Sequence, residues 1–415
     1  MIESMTAASR RSATDCTSVP VGFPWTENFG PTKVANGWAD DTYSESSSAG
    51  THDTNAAQKS SAGTRSHYLR GRSNRTRLAL RYVETRMTAA AYTRPRHLAA
   101  VEILDLRHFS SGDLRPLLDE EVETWERLLA WDYRSSAEMV LRYLDAKILP
   151  GYAAVERGSI VGYSFFVYEG SKGVVGDLFV SPRRSDARAI ELQMEEHIIE
   201  TLQESPGIHR AEAQLLTHQT GELAAPFVSA GFQRYRRLFL GLPLKGSEAS
   251  VIEPMRLPPE IQVRSWTEQD YQAAAGVITA AYRNHIDSEI NDQYRTNAGS
   301  MRFLNNIVRF PGCGVFDPDA SFVALHKSSG ALVGLILCSR VREDVGHITQ
   351  VCLVPEHRKL GIGEHLIACS HKSLRNRNFA LLSLTVTEAN HGAVALYRHL
   401  GFQERRVFDA FVWEG

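Results

Sequence analysis

Residues 355–363 read PEHRKLGIG, set between an apolar run, VCLV, and a helix-like run that continues EHLIACSHKSL. Two glycines one residue apart, preceded by Arg358 and Lys359, are suited to bringing backbone close to an anion. The first N–H groups of a helix have no internal partners and carry the positive end of its dipole. A helix opening at Gly361 and Gly363 can therefore cradle phosphate oxygens. The same pattern also fits a plain tight turn. Two other phosphate loops are excluded. A Walker loop needs Gly-Lys-Ser or Gly-Lys-Thr, and a dinucleotide fingerprint needs a third glycine at position 366, which is Leu366.

Downstream, after the strand-like LLSLTVT, comes EANHGAVALYRHLGF. Ala393, Leu396, Tyr397 and Leu400 recur at helical spacing, so Tyr397 falls on the buried side of a short helix. A buried phenol needs a polar partner. It is either a core tyrosine bonded to a carbonyl or a proton donor at the edge of a cleft.

Together these segments resemble the GNAT superfamily of N-acetyltransferases. Arg358, Lys359, Leu360, Gly361, Ile362 and Gly363 fit its (Q/R)xxGxG/A motif, and Asn390, Ala393, Leu396, Tyr397, Gly401 and Phe402 fit its N..A..LY...GF signature. The resemblance implies that Arg358–Gly363 binds the pyrophosphate of acetyl-CoA. It implies that backbone groups of Leu353 and Val354 pair with the pantetheine arm, one N–H facing the thioester carbonyl. Asn390 would contact the same arm and Tyr397 would protonate the departing thiolate. The implied reaction is direct attack by a neutral amine, with no covalent enzyme intermediate. The alternative is a non-catalytic coenzyme A-binding sensor or interaction module.

An ammonium must lose a proton before it attacks. In the family the base often comes from the strand before the glycine loop. Here His347 lies in HITQVCLV and has the useful pKa, though it could equally cap the strand. Glu388, two residues before Asn390, is the second candidate. Cys352 reads as core filling, and no His, Cys or carboxylate set has metal spacing. Asp287, Glu289 and Asp292 could attract a cationic amine but read first as a solvated helix face.

The elements that must position these residues come from a duplicated block. FVSAGFQRYRRLFLGL (227–242) matches LYRHLGFQERRVFDAF (396–411), and LFVSP parallels CLVP just before the glycine loop. Strands alternating with helices predict an α/β fold, a mixed sheet covered by helices. In each block a strand leads into a loop and helix. The second is expected to end in a strand pair, FQERRV and DAFVWE. Four segments follow. Residues 1–96 form a Ser/Arg-rich leader without a sustained period, and 97–244 a degenerate first domain. Residues 245–258 form a Gly/Ser/Pro-containing linker, and 259–415 the catalytic domain. Aligning Pro182 with Pro355 puts Arg188 in place of Gly361 and Ile190 in place of Gly363, with Phe227 opposite Tyr397 and Thr220 opposite Asn390. The first domain is therefore expected to hold no cofactor and either to wall one side of the acceptor site or to cover its partner's apolar edge.

The leader carries nine arginines and one acid, Glu84, between Arg65 and Arg96. It could serve as a basic arm or a targeting peptide, but reads first as an unstructured leader or as the product of a start placed ahead of Met87. A net charge of −2 and mixed composition give no pointer to nucleic acid or a membrane. Five cysteines without CxxC spacing suit reduced thiols in a cytoplasmic protein. The partner expected is a small-molecule or peptide amine. The tandem could act as a monomer.

Overall fold

The computed structural model describes residues 101–247, 249, 251–309 and 314–415. The arginine-rich leader, Cys16 and Cys313 lie outside them. The first half runs β1 (Glu102–Asp105), α1 (Ser111–Leu129), α2 (Arg134–Asp145), β2 (Gly151–Glu156), β3 (Ser159–Glu169) and β4 (Lys172–Val180). It continues with α3 (Ala187–Glu204), β5 (Arg210–Gln214), α4 (Ala224–Ser229) and β6 (Gln233–Pro243). The second half runs β7 (Ile261–Ser265), α5 (Tyr271–Ala281), α6 (Ile286–Ile290), α7 (Asn297–Val308), β8 (Val315–Phe316), β9 (Phe322–His326) and β10 (Leu332–Arg342). Then come β11 (Val345–Leu353), α8 (Ile362–Asn376), β12 (Leu381–Thr387), α9 (His391–His399) and β13 (Gln403–Glu414). The fold is mixed α/β, as the alternation of strands and helices predicts.

Local chemistry accounts for several boundaries. Ser110 and Asp113 close a capping box ahead of α1, and Thr267 and Asp270 close another ahead of α5. The stretch RRVFDAF contains no Gly, Pro or Asn to turn the chain. The expected terminal strand pair is accordingly one continuous strand, β13, with a register shift between Glu404 and Arg406.

All the described strands join one sheet in the order β1-β2-β3-β4-β5-β13-β6-β12-β11-β10-β9-β7, with β8 on β10. Each half's last strand is exchanged. β6 pairs with β12 from Pro243↔Leu381 to Arg237↔Thr387, and β13 pairs with β5 from Gln214↔Ala410 to Arg210↔Glu414. The cores are shared accordingly. Leu238, Leu240 and Leu242 of β6 are buried in the second half's core, while Phe408 and Phe411 of β13 are buried among first-half residues. Phe411 stacks on Phe227 at 4.3 Å. The segment after β6 is tied down as well, since Ile252 is buried in the same core as α8.

Two parallel pairings stand out. β4 runs beside β5 over Lys172–Val175 and Arg210–Ala213, and β11 beside β12 over Val345–Ile348 and Leu381–Leu384. Beyond each, the two strands no longer pair. In the first half the Phe165 ring lies over the face of β4 at Gly176, where a Cβ would come within 1.9 Å of it. Phe227, 1% exposed, stands where the second half has Tyr397.

Candidate active site

In the second half the divergence of β11 from β12 stays open, and the glycine loop lies at its end. Val354 donates its N–H to Val333 O at 2.9 Å, so it is committed to β10. Backbone groups alternate sides along a strand, so the neighbouring Leu353 turns its N–H and C=O towards the side β12 has left. Of the two backbone positions the sequence singles out, Leu353 faces the gap.

After a short turn at Pro355–His357 the chain passes through Lys359 (φ 61°) and Gly361 (φ 76°) into α8. Ile362, Leu366 and Ile367 are fully buried and anchor the helix. Gly361 is its N-cap and supplies no side-chain hydrogen bond, so nothing on the cap competes for the first N–H groups. A Cβ on Gly363 would meet nothing closer than Leu353 Cδ1 at 3.6 Å, an ordinary contact. The fold therefore needs glycine at 361 for its left-handed backbone but has no internal need for one at 363. A helical glycine costs about 1 kcal/mol against alanine. The unused space beside Gly363 fits an external group approaching the backbone, and pyrophosphate suits those N–H donors. Arg358 bonds its guanidinium to Ala281 O at the end of α5, while Lys359 and Leu360 are exposed on the rim.

Tyr397 lies on α9, 7% exposed and packed 5.7 Å from the Phe402 ring. Burial, then the nearby Asp287 and Cys352, hold its phenol well above the usual range, so it stays protonated. Cys352 is buried and its thiol is pushed up to about 12, so it is no thiolate nucleophile at neutral pH. Asn390 caps α9, its Oδ1 accepting from Ala393 N at 3.3 Å, while Nδ2 stands 3.4 Å from His285 Nε2.

The two base candidates stand apart from Tyr397: His347 lines the cavity between the halves, and Glu388 is not among its lining residues. His347 is 6% exposed, 4.9 Å edge-on to Trp131 and 6.0 Å from the Phe239 ring, with Nδ1 2.9 Å from Ser383 Oγ. Burial brings its pKa down to about 3, so the ring is neutral and a weak base. Both aromatic neighbours come from the first half, whose packing no local pattern reveals. Glu388 pairs with Arg236 of β6 at 3.0 Å, and its N–H bonds Arg236 O. Neither joins the group around Tyr397.

The acidic trio splits. Glu289 pairs with Arg295 and Asp292 with Lys172, whereas Asp287 turns inward. It accepts from Thr387 Oγ1 of β12, lies 3.5 Å from Arg237 of β6, and sits 3.4 Å from His285 Nδ1. Asp287 also lines a cavity of about 700 Å³ between the halves, with Tyr282, Tyr294, Gln350 and Thr385 from the second and Trp131 and Lys172 from the first. His285 carries no motif signal. Only the placement of the residue before α6 beside the N-cap of α9 brings it to Asn390.

Known proteins fit this arrangement. Residues 283–402 match the Acetyltransferase (GNAT) family. The chain is 30% identical over 204 residues to a mycothiol acetyltransferase of Thermobifida fusca, 44% of this chain and 59% of that protein. A mycothiol acetyltransferase of Thermomonospora curvata is 25% identical over 302 residues, 71% of this chain and 93% of its own length. The first of these alignments thus spans less than two thirds of the relative. In fold, the chain is similar to a GCN5-related N-acetyltransferase from Sphaerobacter thermophilus, with a TM-score of 0.55 at 18% identity over 78% of this chain and 97% of that one. The two halves and the glycine-started helix agree with these likenesses: residues 283–402, in the second half, form a domain of the Acetyltransferase (GNAT) family.

Proposed function

We propose that the second half transfers an acetyl group from acetyl-CoA to a primary amine held in the cavity between the halves. The observation that carries this reading is the convergence of three features: the cap-free α8 start with space beside Gly363, the backbone of Leu353 facing an open strand divergence, and the buried Tyr397. Arg358–Gly363 would hold the pyrophosphate, and the N–H of Leu353 would face the thioester carbonyl. Asn390 would lie along the pantetheine arm. Tyr397, protonated at rest, gives its proton to the departing sulfur as the C–S bond breaks. The high thiol pKa of Cys352 supports direct attack over an acyl-cysteine route. Among the described residues no His, Cys, Asp or Glu group could hold a metal ion, and no helix is long and apolar enough to cross a membrane.

The first half, its loop closed by Arg184 pairing with Asp186 (2.8 Å) and Glu156 (2.9 Å), serves as a wall of the acceptor cavity. The relatives' names make a mycothiol-type amine the first acceptor to test. Acetyl-CoA binding to the natural protein and to Gly361→Asp tests the cradle, and equal affinity in both sinks it. Free coenzyme A released in the presence of an amine panel distinguishes an enzyme from a non-catalytic binding module.

A further inference from the structure

Asp287 is held from three directions. Thr387 of β12 donates to its Oδ1, Arg237 of the exchanged strand β6 lies 3.5 Å from the same oxygen, and His285 Nδ1 lies 3.4 Å from Oδ2. Its side chain is 15% exposed, and that exposed part opens on the cavity. The wall beside it is aromatic: Tyr282 and Tyr294 stack at 4.4 Å, and Phe303 stands edge-on to Tyr294 at 4.9 Å. A fixed carboxylate beside aromatic faces is the environment that retains an organic ammonium. His285 takes a second contact at Nδ1, where the Asp287 N–H approaches at 3.2 Å. In the tautomer that accepts this N–H, Nδ1 presents its lone pair beside the carboxylate.

We propose that Asp287 receives the ammonium group of the acceptor and passes its proton to His285, so that the pair forms the proton exit of the reaction; this rests on the acetyl-transfer reading above. One ammonium N–H proton moves to Asp287 Oδ2 and on to His285 Nδ1, leaving a neutral amine. The amine's lone pair forms the C–N bond as the C–S bond breaks. The Tyr397 proton goes to sulfur, and the tyrosinate takes the second N–H proton from the new amide nitrogen. His285 then releases the first proton to solvent. Arg237 acts through Asp287 as a positioning residue, which makes the first half a contributor to the chemistry and not only a wall.

Several charged or titratable groups act on this histidine. Burial, the largest influence, lowers the pKa of His285; Asp287 of α6 raises it, Arg358 of the glycine loop lowers it, and Tyr282 at the end of α5 packs against the ring at 5.2 Å. Tyr397 of α9 and Arg237 of β6 act through Asp287.

The test uses the full-length protein with isotope-labelled histidines, the His285 resonance being assigned from His285→Gln. Benzylammonium is the probe and benzyl alcohol its uncharged control. The ammonium should shift the His285 signal saturably and the alcohol should not. Asp287→Asn should weaken the ammonium response at least tenfold and lower the His285 titration midpoint by about one pH unit. Equal responses to ammonium and alcohol, or no response to either, measured on the natural protein, overturn the proposal. So does an unchanged midpoint in Asp287→Asn. Acetyl-CoA affinity measured on the same samples keeps the two readings apart: a failure to bind it defeats the acetyl-transfer reading, whatever the ammonium does.

Discussion

Replacing Gly363 by alanine should move stability and cofactor binding in opposite directions. Gly363 is the second residue of α8, its backbone is helical, and the added methyl group would touch only Leu353 Cδ1, at 3.6 Å. With no clash to offset it, the gain in helix propensity is about 0.5–1 kcal/mol. For a cooperative unit of this size that raises the melting temperature by about 1–2 °C. The same methyl group occupies the space through which phosphate oxygens would approach the first N–H groups of the helix. Losing that approach should weaken acetyl-CoA binding at least about tenfold, or about 1.4 kcal/mol. Differential scanning calorimetry and isothermal titration on the same preparation read both effects. A Gly363→Ala protein that melts lower and binds acetyl-CoA as before would refute the reasoning twice over, since the space would then serve the fold and not a ligand.

Tyr397→Phe should reduce turnover about 10²-fold or more with acetyl-CoA affinity unchanged, measured by coenzyme A release beside a binding isotherm; unchanged turnover removes the phenol from the mechanism. His347 should impose an acid penalty. Its folded pKa of about 3 lies below the unfolded value of about 6.5, so only the unfolded chain takes up its proton between them, and stability falls as pH drops through that window. The slope is about 1.4 kcal/mol per pH unit. His347→Gln should flatten the denaturant-midpoint profile between about pH 6 and 4, and parallel profiles would contradict the assignment. Residues 259–415 expressed alone should aggregate or melt far below the whole chain. They lack β6, which leaves β12 with a bare edge and removes Leu238, Leu240 and Leu242 from the core. A soluble, equally stable fragment would overturn that.

The parts of the site legible in the sequence are those whose meaning is local. Gly361 and Gly363 open a helix and Tyr397 falls on a buried face, each through spacing within one strand-loop-helix unit. What escaped depends on long-range placement. His347 has the right residue type on the right strand, yet Trp131 and Phe239 from the other half bury it. His285 and Asp287 gain their setting from contacts with Asn390 and with Thr387 of β12, and Arg237 reaches Asp287 because β6 crosses into the second half. The exchange of β6 and β13 was equally hidden. The two repeats share one local pattern, and pattern alone does not say which copy of β5 or β12 a final strand will join.

That exchange also sets a timetable for folding. β13 is synthesised about 190 residues after β5, some 10–40 s later at ordinary translation rates of about 5–20 residues per second. Until then β5 has no partner on its β13 side, and Phe227 lacks the ring that stacks on it. The first half must leave the ribosome unfinished, with a sheet edge and an aromatic socket exposed to other chains. A ribosome stall after β12, or a lost last strand, would therefore harm the half made first.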